Sequence, residues 1–236
     1  MNTDTITSIT QTEDFLVHNK MDNEKLVLPM EKYSIIHNMI DTDTFNYVEK
    51  DASQRKKIFS CRPFASHKYA NDLSIKAIQA LSKHEEFSDI HFHIAGSGDY
   101  FKEITAPLRE KEYTNITLEE RFYTHDELSA FHKEYGVCLI PSRMDAQGVS
   151  RDEAVSSGLV PVTSAVAAIP EFVDEQCGFL VPNEDWQGLA DGILKLYHSP
   201  ELFKQLSNNV ATRVREQSAT NIIIQKELML ITGKVS

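Results

Sequence analysis

The chain has little cysteine, few basic residues and no long apolar run, and each shortage excludes a class of protein. It has three cysteines, Cys61, Cys138 and Cys177, an odd number without metal-ligand spacing, so we expect them to be reduced and buried rather than disulfide-bonded. Lysine and arginine total 24 against 35 aspartate and glutamate residues, which gives a formal charge of -11. This charge argues against bulk attraction to nucleic acid or anionic lipid, so any basic cluster is informative.

No stretch approaches the length of about 18 apolar residues that a membrane-spanning helix requires. The polar start "NTDTITSITQTED" lacks both the basic region and the apolar core of a secretion signal. We therefore expect a cytoplasmic protein. The hydrophobic fraction of 41% and the charged fraction of 25% are ordinary for a soluble globular chain, and 236 residues can bury a substantial core.

Short apolar runs alternate with helical patterns along most of the chain. The runs resemble strands that are buried on both faces, and the amphipathic stretches between them predict crossover helices. This alternation predicts a doubly wound parallel α/β sheet, which binds its ligands at the carboxyl ends of the strands. The predicted strands are "KIFSC" (57–61), "IHFHIAG" (90–96), "VCLI" (137–140) and "LVPVT" (159–163).

Helices are predicted between and after these strands. Asn71, Thr124 and Ser150 are the candidate N-caps, and Pro107 is a candidate kink. Three amphipathic helices at the end of the chain are expected to wrap the sheet. The predicted helical stretches are 71–87, 98–113, 124–136, 150–158, 184–199, 200–217 and 219–231. The first forty residues form a weaker unit that resembles a β-α-β piece without a sheet to join.

The stretch "DAQGVSRDE" (145–153) follows the third predicted strand and begins a helix near Gly148. Free N–H groups at a helix start, together with the helix dipole, favour a phosphate or sugar oxygen, and a glycine lets a ligand approach the backbone. The alternative is purely structural, because Ser150 and Glu153 match a capping box and Asp145 is then an ordinary loop aspartate. These residues alone leave both interpretations open.

A basic loop follows the first predicted strand. Arg62 and Lys68 lie in "RPFASHKYAND", where His67 adds to them. Because parallel strands bring their carboxyl-end loops together, both cations can converge with the Gly148 helix start on one diphosphate. The alternative is a solvated surface pair, which is the usual fate of lysine and arginine.

Two further loops at the same edge supply weaker candidates. Gly96 and Gly98 follow the second strand, where the backbone must turn tightly or come close to a ligand. The loop fits neither a dinucleotide fingerprint nor a P-loop. Tyr123 and Thr124 in "RFYTHDE" lie where a nucleobase can stack or bond to the backbone, although a partly buried core aromatic fits Tyr123 equally well.

Two histidines share one face of the second predicted strand. His91 and His93 alternate with apolar residues, but no carboxylate or cysteine accompanies them in the sequence. Histidines satisfied within the sheet are therefore favoured over a metal site, and we assign no metal.

Several ordered motifs in residues 141–182 resemble the signature of family 4 retaining glycosyltransferases with the GT-B fold. The likeness extends from about residue 30 to residue 200. "IIHNMIDTDTF" resembles the Asn-Gly-Val-Asp linker of the family, with Met39 in place of glycine, and "SCRPFASHK" resembles its Arg…Lys diphosphate loop. The signature segments are Pro141-Ser142, Asp145 to Glu153 for Glu-x7-Glu, Gly158-Leu159-Val160-Pro161-Val162, Ile169-Pro170-Glu171, and Gly178-Phe179-Leu180-Val181-Pro182.

The resemblance implies a role for each matching residue. Glu153 would bond the nucleotide ribose, Arg62 and Lys68 would hold the diphosphate, and Gly148 and Val149 would offer backbone groups to phosphate and sugar. Asp145 stands in place of the first glutamate, which contacts the donor sugar, and its side chain is one methylene shorter.

The resemblance also implies a Rossmann-like domain organisation. GT-B enzymes have two such domains, and this chain resembles only the donor-binding, C-terminal one. We expect residues 1–40 to be a remnant of the acceptor domain with the linker, and residues 41–236 to be the nucleotide-sugar binding domain. The acceptor domain, in the same or a separate chain, would make any peripheral membrane contact.

The implied function is the donor half of a retaining hexosyltransferase-type glycosyltransferase of polysaccharide or glycoconjugate synthesis. It would transfer a sugar from a UDP- or GDP-sugar to an acceptor glycan, lipid or small molecule, with no required metal or other cofactor and no nucleic acid partner. One alternative is a non-catalytic nucleotide-sugar-binding subunit or a split fragment that needs a separate acceptor-domain partner. An unrelated α/β nucleotide-binding protein is a further alternative.

Overall fold

The computed structural model describes residues 34–232. Most of the β-α-β piece that the sequence predicts at the start of the chain lies outside these residues. The segment from position 34 onward packs on the domain, since Ile36 and Ile40 are buried. The N–H of Ile40 donates to the carbonyl of Ser218 at 2.7 Å, which ties this segment to the C-terminal helices.

The core of the fold is one parallel sheet of six strands, in the order β3-β2-β1-β4-β5-β6. The order reverses between β1 and β4, which are paired through Phe59 and Cys138. The fold is therefore the predicted doubly wound, Rossmann-like α/β architecture. The strands are β1 (Lys57–Cys61), β2 (His91–Ala95), β3 (Ile116–Glu119), β4 (Val137–Leu139), β5 (Val160–Ser164) and β6 (Phe179–Val181).

The sequence predicted the four inner strands but missed both edge strands. The inner strands are almost wholly buried, so they appear as apolar runs. In contrast, β3 has no buried residue, and only the last of the three residues of β6 is buried. Both strands lie at an edge of the sheet, where one side has no neighbouring strand.

Helices cover both faces of the sheet. Residues that alternate along β1 separate the two layers: Ile58 faces one cluster of buried side chains and Phe59 faces the other. The first cluster includes α1, α2 and α5, and the second includes α4 and the later part of α6. The helices are α1 (Asn71–Leu81), α2 (Phe101–Arg109), α3 (His125–Glu134), α4 (Val149–Ser156), α5 (Trp186–His198), α6 (Pro200–Ser218) and α7 (Thr220–Thr232). None of these helices is long and apolar enough to cross a membrane.

The predicted helix starts had mixed outcomes. Thr124 is the N-cap of α3, in a capping box with Glu127. The prediction for Asn71 was wrong, because Ala70 occupies the N-cap position and the Asn71 side chain instead donates to the carbonyl of Pro63 at 2.8 Å. Helix α1 also ends at Leu81, earlier than expected, and a short 3-10 turn (Glu85–Asp89) follows it. Pro107 lies inside α2, which ends at Arg109.

A buried lysine gives a test of the packing beside the sheet. Lys50 is 2% exposed, and its ammonium group donates to the carbonyl of His132. Burial lowers the pKa of Lys50 from 10.5 to about 8. The folded state therefore releases this proton more easily than the unfolded state, so stability rises with pH between about 8 and 10.5.

We expect the free energy of unfolding of the wild type to rise relative to that of Lys50→Met by about 2 kcal/mol between about pH 7.5 and pH 9.5. Urea denaturation of both proteins across this range measures the difference, and the variant cancels the contribution of other titrating groups. A difference that does not change with pH would contradict the assignment of the lowered pKa to Lys50.

Candidate functional site

The candidate site lies at the carboxyl edge of the sheet, where β1 and β4 are neighbours. The loop after β1 carries Arg62 and Lys68, and the segment after β4 carries Asp145 and leads into α4 at Gly148. Ligands of doubly wound sheets bind in the crevice at this point of reversed strand order. The position agrees with the sequence prediction that these two loops converge.

Arg62 is the central cation of the site. It is 4% exposed, its Nη1 donates to the Ser150 hydroxyl at 3.1 Å, and its Nη2 lies 3.5 Å from Asp145 Oδ2. Its Nε and Nη2 have no hydrogen-bond partner within residues 34–232. Burial lowers the pKa of the Arg62 guanidinium, and the Asp145 carboxylate opposes that shift. A buried cation with unused donors is costly, and an anionic ligand would satisfy those donors.

The aromatic ring of Tyr69 joins the two cations of the loop after β1. The Arg62 guanidinium carbon lies 5.2 Å from the ring centroid, and Lys68 Nζ lies 5.0 Å from it. Both distances are within the range of a cation–π contact. The structure thus brings Arg62 and the exposed Lys68 to one ring, although sequence reasoning did not single out Tyr69. The signal available was an aromatic residue directly after Lys68.

Helix α4 presents an uncapped start to Arg62. Gly148 is its N-cap, with φ of 83°, and no side chain caps the helix. The first backbone N–H groups of a helix lack intrahelical partners, and the dipole gives this end a partial positive charge. A β-carbon on Gly148 would lie 3.2 Å from Arg151 Nη1 and 3.5 Å from Asp145 Oδ2. The glycine keeps the backbone close to two charged groups.

The capping box predicted from "SRDE" is not formed. Ser150 lies inside α4, and its hydroxyl accepts from Arg62 instead of capping the helix. Glu153 is therefore free of the structural role that the sequence left open. Its side chain is 13% exposed, and Oε1 lies 3.8 Å from His125 Nε2. Burial raises the pKa of Glu153, and His125 opposes the shift.

Ser150 and Cys61 link Glu153 to the basic loop. Glu153 lines a small cavity of about 20 Å³ that Ser150 and Cys61 also line. Cys61 directly precedes Arg62, and the Ser150 hydroxyl accepts from Arg62 Nη1. Ser150 therefore contacts the guanidinium and lines the same cavity as the carboxylate.

Gly96 and Gly98 support the site through the loop after β1. Gly96 has φ of 140°, and a β-carbon there would lie 1.8 Å from the carbonyl oxygen of Arg62. Gly98 has φ of 147°, and a β-carbon there would lie 2.3 Å from the carbonyl carbon of Phe64. The two glycines thus let the backbone pack closely against the loop after β1 rather than against a ligand. This packing fixes the backbone that carries Arg62.

The loop before α3 commits its two candidate residues to internal contacts. The Thr124 side chain caps α3, its backbone N–H donates to Glu127 at 2.8 Å, and its carbonyl accepts from the N–H of Leu128 at 2.9 Å. The Tyr123 hydroxyl lies 3.0 Å from His93 Nε2 and donates to Glu119. Burial raises the pKa of Tyr123. Phe122, which the sequence did not indicate, is 68% exposed in the same loop.

His93 lies at the centre of an aromatic cluster, as expected for a histidine satisfied within the sheet. Its Nδ1 lies 3.1 Å from the Tyr135 hydroxyl, and its Nε2 faces Tyr123. Phe59 and Phe131 pack edge-on against the ring. Burial lowers the pKa of His93, which keeps it neutral near pH 7. The three cysteines are unpaired; Cys138 and Cys177 are buried and Cys61 is half-buried.

The fold and the site define a doubly wound domain in which an uncapped helix start lies beside a buried arginine. Residues 42–213 match the family model "Glycosyl transferases group 1". The chain therefore belongs to the glycosyl transferases group 1 family.

Three relatives illustrate the likeness. A Streptococcus pneumoniae protein, "UDP-N-acetylglucosamine--peptide N-acetylglucosaminyltransferase GtfA subunit", is 27% identical over 93% of this chain and 45% of its own length. The poly(ribitol-phosphate) alpha-N-acetylglucosaminyltransferase of Staphylococcus aureus is 24% identical over 69% of this chain and 32% of its own. A crystal structure of S. aureus TarM with fondaparinux, alpha-GlcNAc-glycerol and UDP superposes with a TM-score of 0.76 at 21% identity, over 98% of this chain and 44% of that one. The chain thus spans less than half the length of these relatives.

Proposed function

We propose that this domain binds the nucleotide-sugar donor of a family 4, retaining glycosyltransferase with GT-B architecture. The observation that carries the proposal is the buried Arg62, whose Nε and Nη2 make no hydrogen bond within residues 34–232 and whose Nη1 contacts Ser150 in the first turn of the uncapped helix α4. The Asp145 carboxylate lies 3.5 Å from Nη2, and the oxygens of a diphosphate would accept from the remaining donors of Arg62 and from the N–H groups at the helix start. Family membership supports the same assignment.

In the proposed complex, each group of the donor meets one part of the crevice. The diphosphate lies between Arg62, Lys68 and the backbone at Gly148 and Val149. The ribose hydroxyls bond to the Glu153 carboxylate, and the sugar contacts Asp145. The loop at Tyr123 and Thr124 receives the base, where the exposed Phe122 offers a ring face for stacking.

The proposed chemistry uses fixed charge. When the bond between the anomeric carbon and the diphosphate oxygen breaks, negative charge grows on the leaving diphosphate. Arg62 and Lys68 stabilise this charge, so a bound metal ion is not required. Arg62 is held by its loop, its Ser150 contact and the Tyr69 ring, so it needs little rearrangement during the reaction. The hydroxyl oxygen of the acceptor then bonds to the anomeric carbon with the configuration retained, and its proton passes to the leaving diphosphate.

Uridine is the base to test first. The Streptococcus pneumoniae relative is named for UDP-N-acetylglucosamine, and the TarM crystals contain UDP. We therefore propose a UDP-sugar as donor and a glycan, lipid or protein as acceptor.

A binding subunit is the second candidate function. The relative from Streptococcus pneumoniae is itself named as a subunit, which favours a protein that works with a partner. In that case the purified chain binds UDP but transfers no sugar until the partner is added. Positioning of the acceptor contributes much of the rate of a transfer reaction, so this outcome is compatible with an intact donor site.

The ribose contact is tested by replacing Glu153 with glutamine. We expect Glu153→Gln to weaken UDP binding about 10-fold in calorimetric titration, because hydrogen bonds to a charged acceptor are stronger than those to a neutral amide. The same variant should bind 2′,3′-dideoxy-UDP as the wild type does, because that analogue lacks the hydroxyls. Glu134→Gln, on the exposed face of α3, is the matched control. Equal losses for both nucleotides would refute the ribose assignment.

A further inference from the structure

A buried amide side chain joins the incoming segment 34–40 to the start of α4. Gln147 is 1% exposed and directly precedes the N-cap Gly148. Its Oε1 accepts from the backbone N–H of Asn38 at 2.6 Å, and its Nε2 donates to the Asn38 carbonyl at 3.0 Å. One side chain therefore satisfies both backbone groups of Asn38, which is itself an exposed residue.

The same amide is anchored on the helix side by a buried ion pair. Nε2 of Gln147 also donates to Asp152 Oδ2 at 3.1 Å. The other oxygen of Asp152 accepts from Arg151 Nη2 at 2.6 Å, and Arg151 Nη2 also donates to the Gln147 carbonyl. Arg151 and Asp152 are each 1% exposed. These bonds form a closed network around Gly148, and a buried network of this kind favours one geometry.

We propose that Gln147 is a positioning residue that couples the incoming segment 34–40 to occupancy of the diphosphate site. The inference rests on the proposed function. A diphosphate that orders the start of α4 also orders Gln147, and Gln147 then holds Asn38 through two hydrogen bonds. Coupling of this kind is reciprocal, so a movement of Asn38 must also change the affinity for the nucleotide.

The coupling requires an amide at this position. The Gln147 amide accepts from the Asn38 N–H and donates to the Asn38 carbonyl and to the Asp152 carboxylate, which a carboxylate or an apolar side chain cannot do. A glutamate would lose both donated bonds and place a negative charge beside Asp152. Gln147→Met therefore removes all three bonds without adding charge, whereas Gln147→Glu still accepts from the Asn38 N–H.

Amide hydrogen exchange of the full chain, with and without saturating UDP, tests the proposal. In the wild type, we expect UDP to slow exchange at Val149 and Ser150 and to slow exchange at Asn38 at least about 10-fold. In Gln147→Met, UDP should still protect Val149 and Ser150 but should leave the exchange of Asn38 unchanged. Gln205→Ala, at an exposed position of α6, should behave as the wild type.

The outcomes separate this inference from the proposed function. If UDP protects Val149 and Ser150 of the wild type but not Asn38, the coupling is refuted and the donor site stands. Protection of Asn38 by UDP in Gln147→Met would refute the coupling through this side chain. If the wild type binds none of UDP, GDP and ADP, the proposed function and the coupling fall together. The exchange of Asn38 in the wild type, compared with and without UDP, still tests the coupling if a variant does not fold.

Discussion

Replacement of Arg62 by alanine is expected to weaken the binding of nucleoside diphosphate at least about 100-fold. Loss of one partner from a buried charged hydrogen-bonding pair costs roughly 2 to 5 kcal/mol. Arg62 is the buried cation that faces the uncapped start of α4, and its Nε and Nη2 have no partner within residues 34–232. The dissociation constant for UDP, measured by calorimetry on both proteins, checks the prediction.

Two comparisons make the Arg62 experiment specific. Lys83→Ala removes an exposed positive charge beyond the end of α1 and should leave the dissociation constant unchanged. Circular dichroism of Arg62→Ala should match the wild type, since the side chain makes one hydrogen bond to Ser150. Wild-type affinity in a folded Arg62→Ala protein would show that the diphosphate does not bind at this guanidinium.

Replacement of Gly96 by alanine is expected to lower the free energy of unfolding by more than about 3 kcal/mol. The estimate combines strain from a left-handed backbone angle, about 1 to 3 kcal/mol, with overpacking of about the same size. Gly96 has φ of 140°, and the added carbon would overlap the carbonyl oxygen of Arg62. Urea denaturation followed by circular dichroism measures the loss.

The neighbouring residue provides the control for Gly96. Ser97 is half-buried, and its backbone carbonyl accepts from the N–H of Phe64, a bond that Ser97→Ala retains. This variant should lose less than about 1 kcal/mol. If Gly96→Ala were as stable as Ser97→Ala, the loop after β1 would not depend on this close approach, and the support that it gives to Arg62 would need another source.

The sequence predicted the inner part of the fold because that part is buried on both faces. Because β1, β2, β4 and β5 are largely buried, their sequences are apolar runs. The predicted limits of these strands lie within about one residue of the observed limits. The edge strand β3 has four residues, none of them buried, so its sequence contains no apolar run. An apolar run therefore indicates a strand that lies inside the sheet, with a paired strand on each side.

Helix caps show the limit of local motifs. Thr124 with Glu127 and Ser150 with Glu153 have the same residue spacing, but only Thr124 caps a helix. Ser150 is instead a hydrogen-bond partner of Arg62, which follows a strand far away in the sequence. The contact with Arg62 engages the Ser150 hydroxyl, and a contact between distant residues cannot be predicted from a local motif.

Convergence of the site was predictable, whereas its internal contacts were not. The rule that carboxyl-end loops of parallel strands meet at one edge predicts from the sequence alone that Arg62 and Gly148 lie close together. The ring of Tyr69 beneath Arg62 and Lys68 depends on side-chain packing. The bonds between Gln147 and Asn38 cross more than one hundred positions of sequence, and no spacing rule indicates them.

The central claim is that a nucleoside diphosphate binds between Arg62, Glu153 and the start of α4. The most direct test is a titration of isotopically labelled protein with UDP, followed by nuclear magnetic resonance. We predict that the backbone amides of Val149 and Ser150 and the Nε–H of Arg62 shift together and saturate at one equivalent. Shifts confined to another surface, or none at millimolar UDP in the folded protein, would contradict the claim.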